Sequence, residues 1–145
     1  MPSILLLFGP NLNLLGHREP HIYGTTTMDD YVRAATVITG PAGVGLEALQ
    51  SNHEAALVEA IHAARVHHDA IVINPGAFTH YAWSIHDALA AFEGVKIEVH
   101  ISNPNAREPW RHTSVVSPVV HGTIVGFGIE GYRMAVNEAC RRLTT

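Results

Sequence analysis

Short apolar runs alternate with longer amphipathic stretches along the whole chain. Five of these runs predict β-strands, at 3–8, 44–49, 70–75, 96–102 and 121–128. The first and third are almost continuously apolar, which is typical of strands buried in a parallel sheet. Helical periodicity predicts four helices, at 26–39, 53–68, 81–94 and about 129–143. We expect Gly40-Pro41 to end the first helix and Gly94 to end the third.

The last predicted helix has one apolar face at helical spacing, formed by Ile129, Tyr132, Val136, Ala139, Cys140 and Leu143. Strands that alternate with helices in this way form a doubly wound α/β sheet. For five parallel strands the simplest arrangement is flavodoxin-like, with strand order 2-1-3-4-5. Because the chain contains no linker, internal repeat or low-complexity tract, we expect 1–145 to form a single domain.

Composition and charge narrow the choice of ligand. The 145 residues are 47% hydrophobic and 15% charged, which suits one core, and the formal net charge is −4. The only Arg cluster is Arg141-Arg142, so we expect no nucleic-acid partner. Eight of the nine basic residues are Arg, and Arg18, Arg107 and Arg111 lie in segments rich in Asn and His. Since a guanidinium can bind a carboxylate through two parallel hydrogen bonds, an anionic small molecule is the expected ligand.

The single cysteine and the first residues bear on localisation. Cys140 has no partner for an intrachain disulfide, and its place on an apolar helix face predicts a buried packing residue. The opening apolar stretch spans about six residues, whereas a signal peptide needs an apolar core of roughly 7 to 15. No segment approaches the length of a membrane span. We therefore expect a cytoplasmic protein with no membrane partner.

Polar segments follow three of the predicted strands. Residues 11–23 follow the first strand, 74–80 follow the third, and 100–111 close the fourth. The first segment, within GPNLNLLGHREPHIYG (9–24), is far longer than the two to six residues that a simple strand-to-helix connection needs. In a doubly wound sheet, ligands bind outside the carboxyl ends of the strands. The three segments therefore predict one binding site at that edge.

Several kinds of chemistry lack their sequence patterns. His17 and His21 have helical spacing, but Pro20 between them disfavours the helix that would align them, and no His-Glu-x-x-His motif or Cys pair is present. We therefore expect no metal. The chain also has no glycine-rich phosphate loop and no G-x-S-x-G nucleophile motif.

General acid–base chemistry remains, with Tyr23 and His100 as the proton-transfer candidates. Alternation along the fourth strand places Glu98, His100 and Ser102 on one face, where a carboxylate can orient and charge an imidazole. Each candidate also has a purely structural alternative. Tyr23 could anchor a turn, His100 could be a hydrogen-bonded strand-end histidine, Asn74-Pro75 could simply stop a strand, and Asp87 could be a surface charge.

Five motifs, taken together and in order, resemble type II 3-dehydroquinate dehydratase over essentially the full length of the chain. They are GPNLNLLGHREPHIYG (9–24), QSNHE (50–54), INPGAFTHYAWSIHDAL (73–89), EVHISNPNAREPWRHTS (98–114) and GFGIEGY (126–132). The resemblance implies a flavodoxin-like subunit without a cofactor. It also implies the anti elimination of water from 3-dehydroquinate, through an enolate, to give 3-dehydroshikimate. The segment 9–24 is then an active-site lid.

The resemblance assigns roles to residues at matching positions. Tyr23 matches the base that removes a proton from the carbon next to the ketone, and Arg18 matches the cation that favours its phenolate, since a free phenol has a pKa of about 10. Asn11 matches the residue that helps to stabilise the enolate. His100 matches the acid that protonates the departing hydroxyl, and Glu98 matches its orienting carboxylate.

Five further positions match residues that hold the ring hydroxyls and the carboxylate of the substrate: Asn74, His80, Ile101, Ser102 and Arg111. The reaction serves both aromatic biosynthesis and quinate breakdown, and the sequence does not distinguish them.

The resemblance also implies assembly, as trimers packed into a dodecamer, with Asp87 reaching a neighbouring subunit's site. The apolar stretch VVSPVVHG (115–122) offers surface for such contacts. Three residues depart from the family's usual pattern. Phe8 occupies a position where Asn is usual, Ala82 occupies one where Ser is usual, and the bulky Trp83 follows Ala82. These departures flank the expected site and spare the positions named above.

Two other classes of function fit parts of this pattern. A flavodoxin-like protein that binds a phosphorylated ligand would share the fold, but it would need Ser, Thr or Gly where 11–15 read Asn-Leu-Asn-Leu-Leu. A catalytically silent relative with a regulatory role would retain the site without turnover. An absorbance assay for a conjugated enone product separates these alternatives.

Overall fold

The computed structural model describes residues 1–145 and contains one parallel sheet of five strands. The strand order is β2-β1-β3-β4-β5, which confirms the predicted flavodoxin-like order. The strands are β1 (Ser3–Phe8), β2 (Gly45–Gln50), β3 (Ala70–Asn74), β4 (Val95–His100) and β5 (Gly122–Val125). All four neighbouring pairs are parallel, so their carboxyl ends meet at one edge.

Helices connect the strands and cover both faces of the sheet. The α-helices are α1 (Pro20–Tyr23), α2 (Met28–Ala42), α3 (Glu54–His67), α4 (Trp83–Ala91) and α5 (Gly128–Leu143). Five 3₁₀ turns lie at Leu12–Leu14, Gly76–His80, Pro104–Ala106, Pro109–His112 and Ser117–Val119. None of the helices is both long and apolar enough to cross a membrane.

Side chains alternate across β1 and divide the core into two layers. Ile4, Leu6 and Phe8 pack against α2 and α5, whereas Leu5 and Leu7 pack against α3 and α4. The prediction that the first and third strands are buried is confirmed, because every residue of β3 and all but the first of β1 are buried. Burial of each large apolar side chain contributes about 1.5–3 kcal/mol, so these central strands anchor the fold.

The predicted apolar face of α5 is confirmed. Tyr132, Val136, Ala139 and Cys140 are buried in the first core layer, and Ile129 and Leu143 pack against it. Burial raises the pKa of the Cys140 thiol, as expected for a packing residue. The Tyr132 hydroxyl is buried without a hydrogen-bond partner, although the Asn74 side chain lies near it.

Three predicted ends are wrong by three residues, and glycine explains two of them. The third is the helix expected to end at Gly94, since α4 already ends at Ala91. Helix α2 continues through Gly40-Pro41 to Ala42 and ends where Gly43 takes a left-handed conformation. A proline disfavours helix at the residue before it partly through a clash with that residue's Cβ, which Gly40 lacks. Strand β5 ends at Val125 instead of 128, because Gly126 has φ +91° and Gly128 begins α5.

The stretch 115–122 does not leave free apolar surface, contrary to our expectation. Val115 and Val116 are buried, and Val119 and Val120 pack against the same core layer as α3 and α4. The four valines are used inside the subunit, so this stretch carries no argument for assembly.

Candidate active site

The loop after β1 is held to its neighbours by side-chain amides. The backbone N–H of Asn11 donates to Asn52 Oδ1 (3.0 Å), and Gln50 Nε2 donates to the carbonyl of Gly9 (3.1 Å). Asn11 has φ +68°, a left-handed conformation that Asn tolerates better than most residues. Gly9 lies so close to the Pro75 carbonyl that a Cβ would not fit. These contacts place Asn11 beside the end of β3.

The end of β3 supplies two polar groups with defined donor and acceptor roles. Asn74 Oδ1 accepts from the backbone N–H of Gly76 (3.0 Å), which leaves the amide N–H groups for another partner. His80 donates Nδ1–H to the Thr113 carbonyl (2.7 Å), so Nε2 is the free ring nitrogen. Burial, its largest cause, lowers the pKa of His80, which favours a neutral ring with Nε2 as acceptor.

The end of β4 carries a buried carboxylate and an imidazole in contact. His100 Nε2 lies 2.6 Å from Glu98 Oε2, and Glu98 is fully buried. Burial alone would raise the pKa of Glu98, but hydrogen bonds from His100, Thr79 and Ser117 outweigh it and hold that pKa below its ordinary value. An ionised Glu98 accepts from Nε2–H and leaves Nδ1 as the ring nitrogen available to a ligand. The predicted side-by-side placement of Glu98 and His100 is thus present.

The three polar segments meet around one cavity of about 240 Å³ at the carboxyl edge of the sheet. Nine of the eleven predicted site residues line it: Asn11, Arg18, Tyr23, Asn74, His80, His100, Ile101, Ser102 and Arg111. Glu98 lies behind the cavity wall and acts on it through His100. Asp87 is absent from the wall; it lies on α4, its side chain is 82% exposed, and its Oδ1 is 2.9 Å from His86 Nδ1.

Arg107, which was expected only among the arginines that suit an anionic ligand, holds the Tyr23 hydroxyl. Arg107 Nη1 donates to Tyr23 Oη (2.7 Å) and to Ser102 Oγ (3.1 Å). Arg18, the expected partner, instead stacks over the ring, with its guanidinium carbon 4.7 Å from the ring centroid. The contact to the hydroxyl is therefore made by Arg107, whereas Arg18 contacts the π face. The available signal was the presence of Arg107 in a segment rich in Asn and His.

Three guanidinium groups reach the cavity wall, each within 4 Å of a Glu carboxylate that lies outside that wall. Arg18, Arg107 and Arg111 all line the cavity, and no Asp or Glu does. Arg107 is largely buried, and its Nε has no hydrogen-bond partner. Arg111 is fixed by Glu108 (2.9 Å) and lies over the Trp110 ring. Because buried guanidinium groups normally find acceptors, this arrangement suits a small anion.

The three departures from the family's usual pattern lie outside the cavity wall. Phe8 is fully buried and stacks on Tyr132, with ring centroids 5.5 Å apart. Ala82 is also buried, next to the start of α4. Trp83 is 62% exposed and contacts the ring of His86.

No group of three or more His, Cys, Asp or Glu side chains is placed to hold a metal ion.

A phenol and an imidazole share this cavity with three guanidinium groups, at the ligand-binding edge of a doubly wound sheet. Such a fold and site suit an enzyme that performs acid–base chemistry on a small anionic substrate. The family described as Dehydroquinase class II matches residues 2–140. The chain belongs to this family of hydro-lyases, and the predicted resemblance is confirmed.

Relatives from fungi and bacteria are similar over almost the whole chain. A catabolic 3-dehydroquinase of Penicillium rubens is 53% identical, with 95% of this chain and 89% of that protein covered. A 3-dehydroquinate dehydratase of Anoxybacillus flavithermus is 52% identical, with 94% and 92% covered. The crystal structure of a type II dehydroquinase from Butyrivibrio crossotus has a TM-score of 0.92 at 47% identity, with 95% and 97% covered.

Proposed function

We propose that this chain catalyses the dehydration of 3-dehydroquinate to 3-dehydroshikimate, with Tyr23 as base and His100 as acid. The observation that carries the proposal is that the Tyr23 hydroxyl, held by Arg107, lines the same cavity as His100. The names of the relatives in Penicillium rubens and Anoxybacillus flavithermus support the substrate. One of these relatives is named as a catabolic enzyme and the other is named only by its reaction. The proposal therefore concerns the reaction and does not choose between the biosynthetic and the catabolic pathway.

The first step is removal of a proton from the carbon next to the ketone. Arg107 donates to the Tyr23 oxygen, which places a cation beside the proposed base. The guanidinium of Arg18, which lies over the Tyr23 ring, places a second positive charge beside the same tyrosine. Tyr23 takes the proton and the ketone oxygen becomes an enolate, which Asn11 helps to stabilise from the wall of the cavity.

The second step is departure of the hydroxyl group. Hydroxide is a poor leaving group, so a proton must reach its oxygen as the C–O bond breaks. Protonated His100 gives up the Nδ1 proton, and water leaves. The Nε2–H of His100 stays hydrogen-bonded to Glu98, so the ring keeps one orientation throughout. Tyr23 and His100 then exchange protons with solvent before the next turnover.

The remaining wall residues bind the substrate. We assign binding of the carboxylate to Arg111 and the Ile101-Ser102 segment, because they present positive and polar groups to the cavity. The free N–H of Asn74 and the free Nε2 of His80 offer a donor and an acceptor for ring hydroxyls. The single domain 1–145 would thus supply the acid, the base and most of the binding groups.

Assembly completes this proposal. Asp87 lies outside its own cavity and is exposed on α4, and the first residue of that helix, Trp83, is also exposed. We infer that this surface is an interface in a closed homo-oligomer, with trimers as the functional unit within a dodecamer, where Asp87 approaches a neighbouring cavity.

The test is direct. Purified protein is mixed with 3-dehydroquinate, and the ultraviolet absorbance of the conjugated enone carboxylate is followed. Turnover with loss of the hydrogen anti to the departing hydroxyl, measured with stereospecifically deuterated substrate, supports the proposal. Binding of 3-dehydroquinate by calorimetry without any product would contradict it and identify a catalytically silent relative.

A further inference from the structure

The carboxylate of Glu98 is surrounded by hydrogen-bond donors. Oε1 accepts from Ser117 Oγ (2.7 Å) and Thr123 Oγ1 (3.3 Å), and Oε2 accepts from Thr79 Oγ1 (2.5 Å) and His100 Nε2 (2.6 Å). A carboxylate has about four lone-pair sites, so each has a donor nearby, although Thr123 has one proton to share between Glu98 and Ser117 Oγ (3.4 Å). A protonated Glu98 would have to give up one of these four contacts.

The direction of each hydrogen bond follows from counting hydroxyl protons. Thr79 has one proton and donates it to Glu98, so Ser114, 2.7 Å away, must be the donor to Thr79. Ser114 Oγ in turn accepts from the backbone N–H of Val116 (3.2 Å) and of Ser117 (3.0 Å). A directed chain therefore runs from the loop backbone through Ser114 and Thr79 to Glu98. Ser117 reaches the other carboxylate oxygen from the same loop.

We propose that Ser117 and Thr79 are positioning residues for the proposed acid, because they hold Glu98 as an oriented carboxylate that fixes the His100 ring. The inference rests on the proposed dehydratase mechanism and deepens it. Neither hydroxyl lines the main cavity, so both act through Glu98 and not on a substrate. Without Ser117, Oε1 keeps only the longer contact from Thr123, so the carboxylate that orients His100 is held less firmly.

The hydroxyls face a second cavity of about 240 Å³ that adjoins the main cavity through His80, His100 and Arg111. Thr79, Ser117 and Thr123 line this second cavity with Glu98 itself. The charged and titratable groups that face Glu98 from the surrounding elements are His80, His100, Arg111 and His112. Their titration must be separated from that of Glu98 in any measurement against pH.

The primary test is Ser117→Ala. We expect kcat to fall about tenfold, the effect of losing a contact to a charged group, while KM changes less than about twofold. We expect the Glu98 carboxyl resonance, followed by ¹³C NMR with labelled glutamate, to titrate about one pH unit higher, because one donor to the anion is lost. NMR spectra of the imidazole rings, recorded over the same pH range, separate the titrations of His80, His100 and His112 from that of Glu98.

Two comparisons separate positioning from a general loss of structure. Ser117→Thr restores the hydroxyl and should recover most of kcat. Thr79→Val should repeat the Ser117→Ala effects, whereas its matched control, Thr36→Val, removes a hydroxyl that contacts only the Val32 carbonyl on α2 and should change neither readout. If Ser117→Ala and Thr79→Val leave both kcat and the Glu98 titration unchanged, the positioning role is excluded.

A double variant tests the route of action. In a Glu98→Gln background, Ser117→Ala should lower kcat no further, since the group through which it acts is already changed. Independent, additive losses would overturn the proposal. The NMR titration does not depend on turnover. An inactive wild type would therefore contradict the proposed function, while an unshifted Glu98 titration in Ser117→Ala would contradict the positioning role alone.

Discussion

The guanidinium of Arg107 donates a 2.7 Å hydrogen bond to the hydroxyl of Tyr23, although 84 residues separate the two in the chain. This contact, and not the stacking of Arg18 on the ring, places a positive charge at the oxygen of the proposed base. Arg107 also reaches Ser102, so one guanidinium links the segment 9–24 to the end of β4.

The first prediction concerns this contact. Arg107→Leu should lower kcat by at least about 10²-fold, because the phenolate loses the donor that favours it. Added guanidinium ion should restore part of the rate, since it can occupy the vacated space. The matched control is Arg133→Leu, which removes an exposed guanidinium paired with Glu130 on α5 and should leave kcat unchanged. Wild-type turnover in Arg107→Leu would assign the role back to Arg18.

Regular structure explains which parts of the site the sequence could predict. Asn74 and His100 end neighbouring parallel strands, so their proximity follows from the strand order alone. Glu98 and His100 are two residues apart on one strand, so alternation predicts that they share a face. The contact between Tyr23 and Arg107 joins α1 to an irregular segment, and no periodicity specifies how two such segments approach each other.

Local features explain why a predicted helix end and a predicted exposed apolar surface were wrong. Pro41 lies in the last turn of α2 and follows Gly40, which has no Cβ to clash with the proline ring, so α2 extends past the expected end. Val115 and Val116 appeared available for an interface, yet they fill space under α3 and α4. Hydrophobic content alone does not tell whether a residue is buried in its own subunit or against a partner.

The second prediction concerns the base. Tyr23→Phe should lower kcat by at least about 10²-fold and leave the fold unchanged, because the ring and its contact with Arg18 remain while the proton acceptor is lost. Steady-state kinetics measure the loss, and calorimetry with 3-dehydroquinate should still detect binding. A Tyr23→Phe enzyme within a few-fold of the wild-type rate would remove Tyr23 from the mechanism.

The third prediction concerns the acid. His100→Ala should also reduce kcat by at least about 10²-fold, since hydroxide leaves poorly without a proton. A substrate analogue with a better leaving group at the same carbon should be much less affected, because it does not need the proton. Equal losses for both substrates would show that His100 acts in binding and not as the acid.

The fourth prediction concerns stability against pH. The pKa of Glu98 in the folded protein lies below the ordinary 4.5, so Glu98 contributes stability above about pH 4.5 that is lost as pH falls through the folded value. Urea unfolding of the wild type should therefore lose free energy of unfolding below about pH 4.5. Glu98→Gln should be less stable at neutral pH but show a flatter acid dependence. If Glu98→Gln leaves the slope of unfolding free energy against pH unchanged, other carboxylates dominate acid unfolding.

The last prediction joins assembly to activity. Asp87 is 82% exposed and lies outside the cavity of its own subunit, so any effect of Asp87 on turnover has to come from another subunit's site. Asp87→Ala should weaken the oligomer in sedimentation velocity at micromolar concentration and lower kcat/KM in the same preparation. Glu59→Ala, an exposed carboxylate on α3, is the matched control and should change neither measurement. A wild-type protein that is monomeric and fully active would contradict the interface, because a monomer offers Asp87 no second cavity to reach.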